Sequence, residues 1–188
     1  DPEMSRGLGD VYKRQVLESG TEQMFDMLRK NEVDLIFTLD SHIYDSEFII
    51  CAEHKEEVHF IAAADHPLLQ RNELLLKEIC SEDFVLTESN MSYRKLLNHE
   101  LATQSLEILP ILEIGNPLQI CSLIENSKMI SFLPDFITED AYRNGYIKHL
   151  PIADCDVSVW TQLLIHKNKW RSPALNAFID FYREVIGK

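Results

Sequence analysis

The residues best suited to chemistry in this chain are polar residues that follow short apolar segments. Ser89, Asn90 and Ser92 come directly after the apolar residues 84–87, at the start of a helical pattern. The first backbone N–H groups of a helix have no intrahelical partner and carry a partial positive charge. Together with nearby hydroxyls, such groups can hold a small anion by hydrogen bonding. The pattern therefore predicts the binding of a ligand, in particular a carboxylate, rather than catalysis.

Three other apolar segments also end where a turn or a helix begins. Ligands of open α/β sheets bind beyond the carboxyl ends of the strands, next to helix N-termini. We therefore expect ligand contacts from all four strand ends: Thr38, Asp40, Ser89, Asn90, Met91, Ser92, Gly115, Asn116, Phe132 and Pro134. Helix capping by the serines and asparagines explains part of this set without a ligand. Ordinary turn formation is the more usual explanation for Gly115 and for the end of the first strand.

Patterns that support catalysis or metal binding are missing from the sequence. There is no GxSxG motif and no glycine-rich phosphate loop, and the seven histidines are scattered without paired spacing. We therefore predict no catalytic residue, no metal ligand and no cofactor. Four widely spaced cysteines without a CxxC pair indicate reduced thiols that pack as small apolar side chains: Cys51, Cys80, Cys121 and Cys155. A redox-sensing role would require an exposed thiolate of lowered pKa.

Composition limits the classes of partner. The chain has 188 residues, 45% of them hydrophobic, and a formal net charge of −13. Phosphate contacts need clustered Lys and Arg, so this charge argues against direct binding to nucleic acid. No apolar run approaches the length that spans a bilayer, and the N-terminal segment lacks the layout of a signal peptide. These features predict a cytoplasmic protein without a membrane partner.

Strand-like and helical patterns alternate from about residue 16 onward. Ser19 and Glu22 have the spacing of a capping box ahead of the first helix, and Asn31 is a candidate C-cap. Strands are predicted at residues 33–38, 84–87, 109–114, 129–133, 147–152 and 157–166, with two more around a polar tip at 54–57. Helices are predicted at residues 74–80, 92–104, from 117, at 136–143 and after 172–173. The alternation predicts an α/β fold with largely parallel sheets.

The apolar segments also occur in a recognisable order. They read DLIFTLD, VHFIAAADHPL, FVLTES, LEIGN, MISFLP and GYIKHLPI. This order resembles the effector-binding domain of LysR-type transcriptional regulators over residues 16–188. The resemblance implies a two-lobed fold similar to type 2 periplasmic binding proteins, with the ligand between the lobes and crossing strands at 60–64 and 159–165. Residues 16–68 with 163–188 would form lobe I and residues 69–162 lobe II, while residues 1–15 look like a foreign leader.

The resemblance also implies a function. The chain would be the ligand-sensing part of a regulator that forms a homodimer and binds DNA only through a helix-turn-helix domain absent from this sequence. Two departures stand out. The first strand and helix of the family's domain are missing, which should weaken self-association, and residues 126–129 read NSKM where the family has Gly-x-Gly. The alternatives are a transporter's solute-binding protein and an enzyme of the same fold, such as a dehydratase of aromatic amino acid synthesis.

Overall fold

The computed structural model describes residues 15–17 and 19–186, so the proposed leader lies almost entirely outside the described residues. The helices are α1 (Thr21–Arg29), α2 (Leu76–Ile79), α3 (Ser92–Thr103), α4 (Pro117–Ile124), α5 (Asp135–Arg143) and α6 (Pro173–Ile186). The strands are β1 (Ile36–Asp40), β2 (Phe48–Ala63), β3 (Val85–Leu86), β4 (Leu112–Glu113), β5 (Ser131–Pro134), β6 (Ile147–His149) and β7 (Ser158–His166). In this part of the chain, no helix is both long and apolar enough to cross a membrane.

The long strand β2 organises the main sheet. Its first part, up to Glu57, pairs with β7, which in turn pairs with β1. Its second part, from Val58, pairs with β5 and β6. All four of these ladders are antiparallel, so the prediction of largely parallel sheets is wrong for this sheet. Alternating strands and helices do not determine whether neighbouring strands are parallel or antiparallel, because a long connection allows the next strand to enter the sheet in either direction.

Two further predictions about β2 are also wrong. Residues 54–57 are not a turn between two strands but the middle of one strand of 16 residues. Their main-chain groups pair with β7, from His54 opposite Thr161 to Glu57 opposite Ser158. Main-chain pairing does not require apolar side chains, and an exposed stretch of a strand is normally polar. Residues 60–64 therefore do not lie beside 159–165, and the strand exchanges β7 for β5 at Val58.

A small parallel ladder positions the predicted ligand residues. Val85 and Leu86 of β3 lie opposite Leu112 and Glu113 of β4. Because these strands are parallel, their carboxyl ends meet at one edge, and α3 and α4 follow from that edge. An isolated parallel bridge between Phe84 and Ile130 joins this ladder to the segment that leads into β5.

The core is divided between the two parts of the sheet. The largest cluster of buried apolar side chains fills the part with β3 to β6, and smaller clusters lie under α1 and α6. Helix α6 begins as predicted, because the Ser172 hydroxyl accepts the N–H of Leu175 at 3.1 Å. The capping box predicted at Ser19 is wrong, since the N-cap of α1 is Gly20, which has no side chain to cap the helix. Asn31 follows the C-cap residue of α1 with a positive φ of 58°.

Candidate functional site

The start of α3 leaves hydrogen-bond donors free, as the sequence predicts. Met91 is the N-cap, and its side chain makes no capping hydrogen bond. The first intrahelical bond joins the N–H of Lys95 to the carbonyl of Met91 at 2.9 Å, so the N–H groups of the three residues between them lack helical partners. Ser89 and Asn90 are exposed and Ser92 is half-buried. The alternative that these side chains are here only to cap α3 is therefore wrong.

The start of α4 lies beside this segment but is built differently. The side-chain oxygen of Asn116 accepts the N–H of Leu118 at 3.0 Å, so Asn116 is the helix cap. A Cβ atom on Gly115 would lie 3.4 Å from Oε1 of Glu88, the residue directly before Ser89. The loops that precede α3 and α4 are thus in close contact, as expected for the ends of neighbouring parallel strands. The side-chain oxygen of Asn116 is engaged in capping, which reduces what it can offer a ligand.

The end of β1 approaches the same helix. Helix α3 contacts β1 and β7 as well as β5, and Leu39 packs against the largest apolar cluster. Thr38 is buried, and its hydroxyl donates to the Gln162 carbonyl at 3.4 Å. The Asp40 carboxylate accepts from the Thr21 hydroxyl at 3.2 Å and from the Ser41 N–H at 2.7 Å. The Asp40–Ser41 bond is the local contact that ordinary turn formation predicts, whereas the Thr38 hydroxyl bonds across the sheet to β7.

Two apolar members of the predicted set lie within the core. Phe132 is only 1% exposed, and its ring centroid lies 4.8 Å from that of Phe60. Pro134 is buried and pairs with Val58 of β2. In this structure Phe132 presents almost no free surface to a ligand, because all four residues of β5 are buried and its ring packs in the largest apolar cluster.

The residue that sequence reasoning missed is Arg94. It lies in the first turn of α3 and is only 5% exposed, yet its Nε and one terminal nitrogen have no hydrogen-bond partner among the described residues. Burial lowers the pKa of Arg94, and the charge of Glu113 on β4 opposes that shift. A buried guanidinium without partners is unfavourable unless another group binds it. The sequence does contain a sign that Arg94 is buried. Arg94 precedes the buried residues Leu97 and Leu101 by three and seven positions, which places all three on one face of the helix.

Several buried hydroxyl groups lie near α3 and β5. The hydroxyls of Thr87, Tyr93 and Ser131 are buried. Burial raises the pKa of Tyr93 and a hydrogen bond with Thr87 opposes that shift, so these two hydroxyls lie against each other. The Ser131 hydroxyl has no hydrogen-bond partner within the described ranges. Thr87 directly follows β3, Tyr93 precedes Arg94 on α3, and Ser131 begins β5. Native proteins leave few buried polar atoms unpaired, so the Ser131 hydroxyl is the group here that calls for a further partner.

The cysteines are predicted to react slowly. Burial raises the pKa of Cys121 to about 11 and that of Cys155 to about 12, and it also raises the pKa values of Cys51 and Cys80. Since the thiolate is the nucleophile, iodoacetamide should alkylate Cys121 and Cys155 at pH 7 more than about tenfold more slowly than free cysteine. Peptide mass spectrometry checks this, with protein unfolded in urea as the control. Fast labelling of Cys155 in the folded protein would contradict it.

Comparison with known proteins assigns this chain to a family. The family model of the LysR substrate binding domain matches residues 13–187. The HTH-type transcriptional regulator YwqM of Bacillus subtilis is 32% identical over 88% of this chain and 56% of its own length. The regulator MetR of Salmonella typhimurium is 24% identical over 84% of this chain and 49% of its own length. The chain therefore spans about half the length of these curated relatives.

Solved structures agree on the fold. The effector-binding domain of QuiR in complex with shikimate has a TM-score of 0.70 at 18% identity, covering 92% of this chain and 81% of that domain. The CcmR regulatory domain of Synechocystis in complex with 2-PG has a TM-score of 0.72 at 19% identity, covering 89% and 80%. These likenesses confirm the predicted α/β, two-lobed fold of the type 2 periplasmic-binding-protein kind. Together with the family match, they show that the chain belongs to the LysR substrate-binding domain family.

Proposed function

We propose that this domain binds a small carboxylate effector between its lobes and so controls DNA binding by the helix-turn-helix domain of a LysR-type regulator. In this proposal the chain senses a ligand and carries out no catalytic step. The intact regulator is a cytoplasmic homodimer and contacts DNA through its other domain. A transporter's solute-binding protein is not favoured, because the relatives are transcriptional regulators.

The observation that carries the proposal is the buried guanidinium of Arg94, two of whose nitrogens have no hydrogen-bond partner among the described residues. Arginine presents a planar fork of donors that matches a carboxylate, and such a pair is strongest where water is excluded. The free N–H groups of the first turn of α3 lie on the same helix and favour negative charge as well. Two structural neighbours were solved with a small molecule, shikimate in QuiR and 2-PG in CcmR, which supports a small effector.

The remaining predicted residues take lesser parts in the proposed site. Ser89 and Ser92 donate hydroxyl hydrogen bonds, and Asn90 contributes an exposed amide. The backbone of Gly115 and the side chain of Met91 line the wall. Thr38 and Asp40 limit the space from the side of lobe I, where Asp40 would repel an anion unless it meets a hydroxyl or amine of the effector.

A double substitution at the start of α3 tests the site. A thermal-shift screen of carboxylate metabolites first identifies a ligand that stabilises the parent chain. Ser89→Ala/Ser92→Ala is then expected to weaken binding of that ligand by about 1.5–3 kcal/mol, the usual contribution of hydrogen bonds to a charged group. Calorimetric titration measures the change. Ser81→Ala, at an exposed serine outside the proposed site, is the matched control and should bind as the parent does.

Two outcomes of this experiment count against the assignment. If a confirmed ligand binds the double variant as tightly as the parent, the ligand does not lie at the start of α3. If Ser81→Ala weakens binding equally, the effect comes from a general change in the protein rather than from lost ligand contacts. Circular dichroism of each variant shows whether the fold is retained.

A further inference from the structure

The structure brings together two histidines and an aspartate that are far apart in the sequence. Nδ1 of His59 lies 2.7 Å from Oδ1 of Asp135, and Nε2 of His149 lies 3.6 Å from the same oxygen. One donor atom from each residue lies within 4.8 Å of the other two. Spacing along the sequence does not indicate this group, because 76 positions separate His59 from Asp135.

Main-chain pairing holds the three residues in place. On β2, His59 lies opposite Leu133 of β5, and Ile61 lies opposite His149 of β6. Asp135 directly follows β5 as the first residue of α5. All three side chains therefore come from adjoining strands or from the residue after one, not from flexible loops. Sites on regular elements hold their ligands more precisely than sites on loops.

One atom of the group lacks a partner. Nε2 of His149 is buried and makes no hydrogen bond within the described residues. Its ring lies between two aromatic neighbours, with centroids 4.2 Å from His59 and 4.5 Å from Tyr142. The distance of 3.6 Å to Asp135 is too long for a hydrogen bond. An ion pair between His59 and Asp135 gives each of those two side chains a partner, but it gives none to Nε2 of His149.

We propose that His59, Asp135 and His149 form a binding site for a divalent transition-metal ion of the zinc class. Two imidazoles and one carboxylate are ligands that suit Zn²⁺, Ni²⁺ or Cu²⁺, whereas Mg²⁺ and Ca²⁺ prefer oxygen ligands alone. Three protein ligands leave a coordination position for water or for another group. The site is independent of the proposed effector contacts at α3.

Metal binding requires a small rearrangement of the rings. The two imidazole planes are inclined by only 12°, and parallel stacked rings cannot both direct a lone pair at one ion. One ring must therefore turn about its terminal torsion. The side chains of His59 and His149 are 39% and 24% exposed, which leaves room for that rotation without opening the core. Coordination thus replaces ring stacking.

Calorimetric titration of the chain with Zn²⁺ tests the proposal, with Mg²⁺ as the comparison ion. We expect one equivalent of Zn²⁺ to bind and to raise the melting temperature, and Mg²⁺ to do neither. His149→Gln and Asp135→Asn should each weaken Zn²⁺ binding by more than about tenfold, since even outer-shell partners of metals contribute 10–100-fold. His99→Gln removes an exposed histidine outside the group and should bind Zn²⁺ like the parent.

Cobalt(II) provides a second readout that distinguishes these ligands from the cysteines. Co²⁺ at this site should show the visible bands of nitrogen and oxygen coordination without a thiolate charge-transfer band. If His149→Gln and Asp135→Asn bind Zn²⁺ as tightly as the parent, or if a thiolate band dominates, the proposal is wrong. Circular dichroism shows whether each variant is folded, and folded variants that lose Zn²⁺ binding support the proposal.

Discussion

Arg94→Met is expected to stabilise the domain and, in the same variant, to abolish tight binding of an anionic effector. The guanidinium is buried, and two of its nitrogens have no hydrogen-bond partner in the described part of the chain, so the folded state carries an uncompensated desolvation cost. Methionine has a similar length and no charge. We expect the free energy of unfolding to rise by about 1–3 kcal/mol, in the range seen when buried charges are replaced by apolar residues. Urea denaturation measures this change.

The loss of binding should be larger than the gain in stability. Removing one partner of a buried charge pair typically costs about 2–5 kcal/mol of binding free energy. Arg94→Lys is the matched control, because it keeps the charge but loses the planar fork, and it should bind more weakly than the parent but better than Arg94→Met. If Arg94→Met lowers stability and leaves effector binding intact, Arg94 has partners in the folded protein and is not the anion anchor.

Phe132→Ala is expected to cause the largest loss of stability among the substitutions considered. The side chain is 1% exposed and packs on Phe60, in the cluster that also contains Phe84. Removing a buried aromatic ring leaves a cavity and typically costs about 3–5 kcal/mol. Denaturant unfolding at constant m-value measures the effect, and Phe132→Leu should lose only on the order of 1 kcal/mol because it retains most of the apolar volume.

The same pair of variants decides the role of Phe132. The sequence predicts that Phe132 contacts the ligand, whereas its burial indicates a role in packing. If packing is its role, Phe132→Leu should bind the effector as the parent does. A selective loss of binding in Phe132→Leu at nearly unchanged stability would restore Phe132 to the ligand site.

The local features of this fold are readable from the sequence because they depend on neighbouring residues. The start of α4 is an example, since Asn116 and Pro117 at consecutive positions specify a cap and a first helical residue. The helix after Ser172 is another. At both helix starts a side chain accepts a hydrogen bond from a backbone N–H group within four residues of it along the sequence.

Pairing between distant strands is not readable in the same way. The polarity of residues 54–57 resembles a turn, and only the position of β7 shows that they continue a strand. Arg94 lies on an otherwise apolar helix face, but nothing local shows that its guanidinium lacks a partner. His59 and His149 meet because β2 and β6 pair, and their separation along the chain gives no sign of it. These features depend on contacts that only the folded chain makes.

The continuity of β2 determines how the two halves of the molecule can move. This strand passes from one half to the other without a loop, and β7 is hydrogen-bonded along its first part with one register shift between Ile50 and Ala52. A rotation of one half against the other must then be taken up as added twist in a hydrogen-bonded ribbon, which resists bending within its plane.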